Sequence, residues 1–239
     1  MSGSEYAYAG TELDVFKHAH RWKEYWSGAI APYLRGAMLE VGAGVGANTP
    51  YLVAPRVRRI VRLEPDPRFA ERLERHRPPI GAGAIDVVDK CGVVADLAPD
   101  ERFDVILYLD VLEHIDDDRA EMASAAAHLV PGGHLVVLAP AFQFLYSPFD
   151  KAIGHYRRYR RSTLEPLAPP ALTLERSEYF DAPGAVLSAG NRLLLRSAAP
   201  TLAQIAFWDA WIVPIARITD RATRAMFGRS VLCVWRAGP

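Results

Sequence analysis

The sequence predicts an α/β protein built on a doubly wound, mostly parallel sheet. Three observations carry that prediction. Apolar runs recur at 38–41, 59–63, 103–109 and 134–139, with helix-forming stretches between them. The first run ends in Glu40 and opens into Gly42, Gly44 and Gly46 at alternate positions, the pattern of a strand that delivers the chain into a ligand-cradling turn. The run at 103–109 is almost wholly apolar, as a strand buried on both faces requires.

The elements follow in order. In 14–34, Phe16, Trp22, Tyr25, Trp26 and Ile30 recur at mixed three- and four-residue spacing, which predicts one or two helices. Residues 38–41 are a buried strand, followed by the glycine turn and a helix over 50–53. Residues 59–63 form a second strand, stopped by Glu64-Pro65-Asp66-Pro67, and 68–77 a charged helix. The third strand is either 84–88 or 92–95; the latter is favoured, ending at Asp96. The fourth spans 103–109, 116–129 is an Ala-rich helix, and 134–139 is the fifth strand. Beyond Pro140 the rhythm changes. A loop rich in aromatics and arginines covers 142–161, a helix starts at 162–167, and two strands, 172–179 and 230–236, flank a helical insert at 183–227. The whole reads as one domain over 1–239, with 1–34 as an N-terminal helical lid.

Composition narrows the function. The chain has 239 residues, 50% hydrophobic, with 28 basic and 28 acidic side chains. A neutral chain lacks the field that draws nucleic acid. Cys91 and Cys233 are too few for a disulfide framework, so a reducing cytoplasm is expected; residues 1–11 do not read as a signal peptide. Residues 205–216 are apolar apart from Asp209 and too short to span a bilayer, which takes about 20 apolar residues. They suit a buried or lid helix, or peripheral membrane contact at most.

The glycine run alone leaves two tenants. Gly42, Gly44 and Ala47 satisfy a dinucleotide fingerprint, with Glu64 near its ribose-binding acid; that reading gives a nicotinamide-dependent oxidoreductase. Glu40 weighs against it, because a carboxylate at the strand end repels a pyrophosphate but receives the ammonium of an amino-acid-bearing cofactor. Asp96 stands where an adenine amine can be accepted, and the chain ends in two strands rather than a second nucleotide-binding half.

Leu39-Glu40-Val41-Gly42-Ala43-Gly44-Val45-Gly46, Leu63-Glu64-Pro65-Asp66, Ala95-Asp96-Leu97, residues 103–114 and Leu129-Val130-Pro131-Gly132-Gly133 resemble, in order, the motifs of class I S-adenosylmethionine-dependent methyltransferases. The resemblance implies a Rossmann-like seven-stranded sheet with an antiparallel C-terminal strand. It implies S-adenosylmethionine as cofactor and S-adenosylhomocysteine as product. The residues it assigns to the cofactor are Glu40, Gly42, Ala43, Gly44, Gly46, Asn48, Glu64, Pro65, Asp96, Leu97, Leu109, Asp110 and His114. Non-methylating use of the sulfonium on the same fold is the alternative chemistry.

Two clusters are candidates for the acceptor side. Asp110, Glu113 and His114 share one face if their turn is helical; they resemble an acid-x-x-Glu-His array of ubiquinone-pathway O-methyltransferases, which holds a divalent cation. The favoured reading is structural, with no metal. The second cluster, 149–159, offers His155 as a base, Tyr159 to orient an acceptor, and Arg157 or Arg158 to clamp an anion. Catalytic expectations therefore rest on His114, His155 and Tyr159. Tyr6, Tyr8, Phe16, His18, Trp22 and Trp26 are lid candidates, with core packing the plainer account of the tryptophans. The insert, with Leu193-Leu194-Leu195, Phe207, Trp208, Trp211 and Ile212, favours an apolar, aromatic or lipid-like small-molecule acceptor, and either a monomer or a homodimer.

Overall fold

The computed structural model describes residues 12–75, 85–190, 200–222 and 226–239; Tyr6, Tyr8 and Leu193–Leu195 lie outside them. Seven strands form one sheet: β1 Gly36–Val41, β2 Val57–Glu64, β3 Asp86–Cys91, β4 Phe103–Leu109, β5 Leu129–Pro140, β6 Leu172–Phe180 and β7 Ser230–Ala237, in the order β3-β2-β1-β4-β5-β7-β6. The pairs among β1 to β5 are parallel, and β7 runs antiparallel to both its neighbours, β5 and β6. The chain winds outward from β1 in both directions, so a crevice opens between the C-terminal ends of β1 and β4.

Helices cover both faces: α1 Glu12–Phe16, α2 His20–Ile30, α3 Pro67–Arg75, α4 Asp118–Ala127, α5 Pro148–Ala152, α6 Arg161–Leu164, α7 Ala182–Gly190, α8 Leu202–Phe207 and α9 Val213–Ala222. Strand residues alternate between two cores. Leu39, Val61, Ile106 and Val137 pack with Met122 of α4 and Leu164 of α6. Met38, Ile60, Leu107 and Val136 pack with Trp22, Trp26 and Ile30 of α2 and with Ile205, Trp208 and Val213. The predicted lid and insert thus share the second face.

They are joined by carboxylates. The α2 N-terminus has no side-chain cap from Ala19; instead Asp209 accepts from the amides of Arg21 and Trp22 at 3.1 and 2.9 Å. Asp220 accepts from the amides of Asp181 and Ala182 and from the Tyr25 hydroxyl at 2.6, 3.0 and 3.0 Å. Asp209 is the one charge in the apolar run because it serves a second helix. It lies in a π-helical turn, Trp208–Ile212, that joins α8 to α9 without leaving helical backbone.

Two expectations are corrected. The third strand is Asp86–Cys91, close to the disfavoured option, and 92–95 is a turn. Gly92 has φ +148, and the Asp96 carboxylate accepts from the Val93 amide at 2.9 Å, folding Val94–Asp96 into a 3-10 turn. The helix expected after the glycines is also a single 3-10 turn, Thr49–Leu52. Pro55 follows too closely for more, since a proline excludes helical backbone at the residue before it.

Candidate active site

Glu40, next to last in β1, is buried, with Arg62 opposite on β2 and Asp89 beyond on β3. Arg62 pairs with Asp89 through two bonds of 2.6 and 3.0 Å. Glu40 takes one bond, from Thr49 Oγ1 at 2.8 Å, and its other oxygen, Oε1, has no hydrogen-bond partner among the described residues. Burial pushes its carboxyl up to about 7, against the Thr49 bond and the Arg62 charge. Above it, Gly42, Gly44 and Gly46 have φ of +64, +57 and +76. A Cβ on Gly42 would meet Val111 at 2.7 Å, and one on Gly46 would meet Arg62 Nη1 at 2.9 Å. Glycine is required here both by backbone sign and by space.

Glu64, at the end of β2, grips this loop. Its carboxylate accepts from the Gly44 amide at 2.7 Å and from the Asp66 amide at 2.9 Å. Burial raises its pKa against these bonds. Ala43 donates to the Leu63 carbonyl and the Gly46 amide to Ala43. Asn48 begins the Thr49–Leu52 turn, and Pro65 adjoins Glu64 at the rim. Leu97 and Leu109 are buried, Leu109 as the last residue of β4. Asp96 is exposed, beyond the end of β3 rather than on it. Leu13 of α1 lies 3.4 Å from where a Gly44 Cβ would stand. Trp22 and Trp26 belong to the core, as the plainer account held.

β4, β5 and β6 each run out through a non-glycine residue of positive φ: Asp110 at 58, Phe142 at 62 and Asp181 at 65. Such backbone costs on the order of 1–3 kcal/mol at each position and clusters at working edges. Asp110 is exposed to solvent. The surrounding protein raises its pKa, while Arg229, His155, Lys23 and Arg158 pull the other way. Lys23 enters from α2. Its ammonium donates to the Phe16 carbonyl at 2.6 Å, and burial lowers its pKa to about 8, against Asp209 and Asp110. Arg229 lies 3.9 Å over the Trp208 ring and pairs with Asp181 at 3.2 Å. Lys23 escaped the sequence reading because it sits in a stretch read for its aromatic residues, and Arg229 because it falls between the expected insert and the last strand.

His114 and His155 meet edge to face, with ring centroids 4.5 Å apart. Burial, then the neighbouring His155, lowers the His114 pKa to about 3, so it is neutral at physiological pH. His155 Nδ1 lies 2.9 Å from Asp150 Oδ1. Burial disfavours the Asp150 charge, yet His155, Arg158 and Ser147 together hold the carboxyl below the usual range. An ionised Asp150 only accepts, so Nδ1 carries a proton, and in the neutral ring the lone pair belongs to Nε2. Nε2 points toward Glu113 Oε1, 3.7 Å away. Glu113 is fully buried, and among the described residues neither of its oxygens takes a hydrogen bond; burial together with Asp110 repulsion raises its pKa well above the carboxylate range. Glu113, His114 and His155 each offer a ligand atom within 4.8 Å of the others. The trio that could hold a cation thus takes His155 where the sequence suggested Asp110.

Three expectations for the 149–159 cluster are corrected. Tyr159 is buried and donates to Asp118 at 2.8 Å; it braces α4 instead of facing an acceptor. Arg157 pairs with the same Asp118 at 2.7 Å, and Arg158 forks onto Asp150 at 2.7 and 3.0 Å. Neither arginine is a spare anion clamp.

A sequence profile described as a methyltransferase domain matches residues 18–168. A protein called ubiquinone biosynthesis O-methyltransferase, from a Bradyrhizobium species, is 31% identical over 103 residues, 42% of this chain and 38% of that protein. A second of that name, from Rhodopseudomonas palustris, is 44% identical over 48 residues, 20% of this chain and 19% of that protein. The chain therefore matches well under half the length of these relatives. Among solved structures, the N-methyltransferase NodS from Bradyrhizobium japonicum in complex with S-adenosyl-L-homocysteine superposes with a TM-score of 0.58 at 18% identity, covering 93% of this chain and 89% of that one. The [4+2]-cyclase SpnF superposes equally well, TM-score 0.58 at 16% identity, over 90% of this chain and 81% of that one; likeness at such identities speaks for the fold alone. The matched domain takes in the glycine cradle, Glu64, Asp110 and the paired histidines, and by that match the chain belongs to the methyltransferase-domain family of class I S-adenosylmethionine-dependent enzymes.

Proposed function

We propose that the protein transfers a methyl group from S-adenosylmethionine to a hydroxyl of a small, partly apolar acceptor. The grip of Glu64 on Gly44 beside the orphaned, buried Glu40 Oε1 carries the cofactor assignment. Those groups fit a ligand that brings hydroxyls to one acid and a cation toward the other. A dinucleotide fits poorly, because a buried carboxyl stands under the loop that would hold its pyrophosphate. Glu40, Gly42, Ala43, Gly44, Gly46, Asn48, Glu64, Pro65, Asp96, Leu97, Leu109, Asp110 and His114 would line that ligand. When bound, it supplies an electrophilic methyl on a sulfonium.

The protein's remaining work is positioning and proton removal. His155, its tautomer set by Asp150, presents Nε2 to take the acceptor proton. His114 is neutral beside it and packs its ring. The curated relatives' name favours a phenolic oxygen over nitrogen or carbon. The test is release of S-adenosylhomocysteine with catechols bearing an apolar tail, set against amines of similar size. His155→Asn should cost about 10²–10⁴ in turnover, the usual worth of a general base, with S-adenosylhomocysteine affinity unchanged by calorimetry. Full turnover in that variant would remove His155 from the reaction. Stronger thermal stabilisation by NAD than by S-adenosylhomocysteine would overturn the cofactor assignment.

The trio of Glu113, His114 and His155 supports a second reading, in which a divalent cation there acidifies the acceptor hydroxyl. Turnover unchanged in excess chelator would dispose of it.

A further inference from the structure

Twelve large apolar side chains are conspicuously exposed among the described residues, and eight of them belong to α7, to the helical stretch from α8 to α9, or to the segment just after it. From Leu202 to Ala222 the backbone stays helical through the π turn. Its inner face buries Ile205, Trp208, Val213 and Ala216. Its outer face carries Phe207, Trp211, Ile215 and Ile218 at 57, 66, 49 and 72% exposure. Spacings of four, four and three put them in one stripe. Val186 and Leu187 on neighbouring α7 extend the apolar surface.

The charge of the insert's sequence is one-sided. Between residues 182 and 229 it holds six arginines, two aspartates and no other ionisable side chain, Arg229 being paired with Asp181. Both aspartates, Asp209 and Asp220, are buried and spend their oxygens on the N-termini of α2 and α7. Arg217 and Arg221 stand at the end of the stripe, Arg221 exposed and Arg217 reaching Glu24 of α2 at 3.6 Å. A self-complementary dimer through this face would set arginine against arginine with no acid of the insert to meet it. An anionic lipid surface meets both parts at once: headgroups take the arginines, and Trp211 and Ile218 enter the acyl boundary. No helix among the described residues is long and apolar enough to cross a membrane, so this one lies along it.

We propose that the outer face of the Leu202–Ala222 helix docks the protein on anionic phospholipid bilayers. The inference stands apart from the acceptor assignment. Its test is sedimentation of the full chain with vesicles of phosphatidylcholine alone or of phosphatidylcholine and phosphatidylglycerol in a three-to-one mixture. The protein should partition about tenfold or more in favour of the anionic vesicles, and lose that preference as salt rises. Trp211→Ser with Ile218→Ser should lower partitioning about tenfold or more, as apolar insertion requires. Arg221→Gln should weaken the preference for anionic lipid, while Leu174→Ser, on β6, should change nothing. Calorimetry with S-adenosylhomocysteine reports whether the double variant is folded; if it is not, Ile218→Gln and Arg221→Gln carry the comparison. Wild-type protein left in the supernatant, or variants that sediment as wild type does, would overturn the proposal. So would a wild-type dimer split by Trp211→Ser with vesicle binding unchanged.

Discussion

In the proposed function, Glu64 both prepares a site and serves it. Two of its lone-pair positions hold the Gly44 and Asp66 amides, which fixes the loop before any ligand arrives, and the others remain for hydroxyl donors. Glu64→Ala removes both services. Charge-assisted bonds are worth about 1.5–3 kcal/mol each, so S-adenosylhomocysteine affinity should fall about a hundredfold or more. Calorimetry on the purified variant reads this directly, and unaltered affinity would sink the assignment. Glu64 stood out in the sequence because Leu63-Glu64-Pro65-Asp66 resembles a motif of the family. Arg62 did not. It sits inside an apolar run, and its partner Asp89 lay in a segment read as loop while β3 was placed too late. A buried ion pair announces itself only when both strands are in register.

At the level of elements, the strands were the most legible part. β4 matches its predicted bounds, and the pair at the C-terminal edge follows the family resemblance. Helix ends were less so, because their caps come from afar. α2 begins at His20 without a capping residue beside it, since Asp209 does that work across 187 positions. No local pattern encodes that. The candidate acceptor-side cluster was half legible for the same reason. His155 and Asp150 are close in sequence and stay together, whereas the abandoned role of Tyr159 turned on Asp118, 41 positions away. Asp209→Ala should destabilise the protein by about 1–2 kcal/mol, the worth of a lost cap. Hydrogen exchange should show the loss first at the amides of Arg21 and Trp22, with the strands still protected. Uniform loosening of the sheet instead would mean that Asp209 acts through the core.

For the whole molecule, two buried groups set opposing pH dependences. His114 falls from 6.5 in the unfolded chain to about 3 in the fold. The unfolded chain therefore binds the extra proton between those values, and stability is lost as pH drops from 6.5 toward 3. Glu40 rises from 4.5 to about 7. The folded chain then binds the extra proton, so this contribution is full below 4.5 and lost as pH climbs through 7. Urea unfolding across that range should show His114→Asn with a shallower acid limb. Glu40→Gln should gain on the wild type as pH rises from 4.5 to 7. Parallel curves for either variant would show that its group does not titrate as placed.

The same Asp209 contact bears on how the chain is made. A ribosome releases α2 long before it releases the carboxylate that closes the first turn of that helix. Until then Trp22 and Trp26 lack the Ile205, Trp208 and Val213 surface against which they pack. The parallel strands β1 to β5 need none of these residues to pair, so the sheet can assemble while its own leading segment waits. The N-terminal helices α1 and α2 then settle only once the insert has been made, although they are translated before every strand of the sheet.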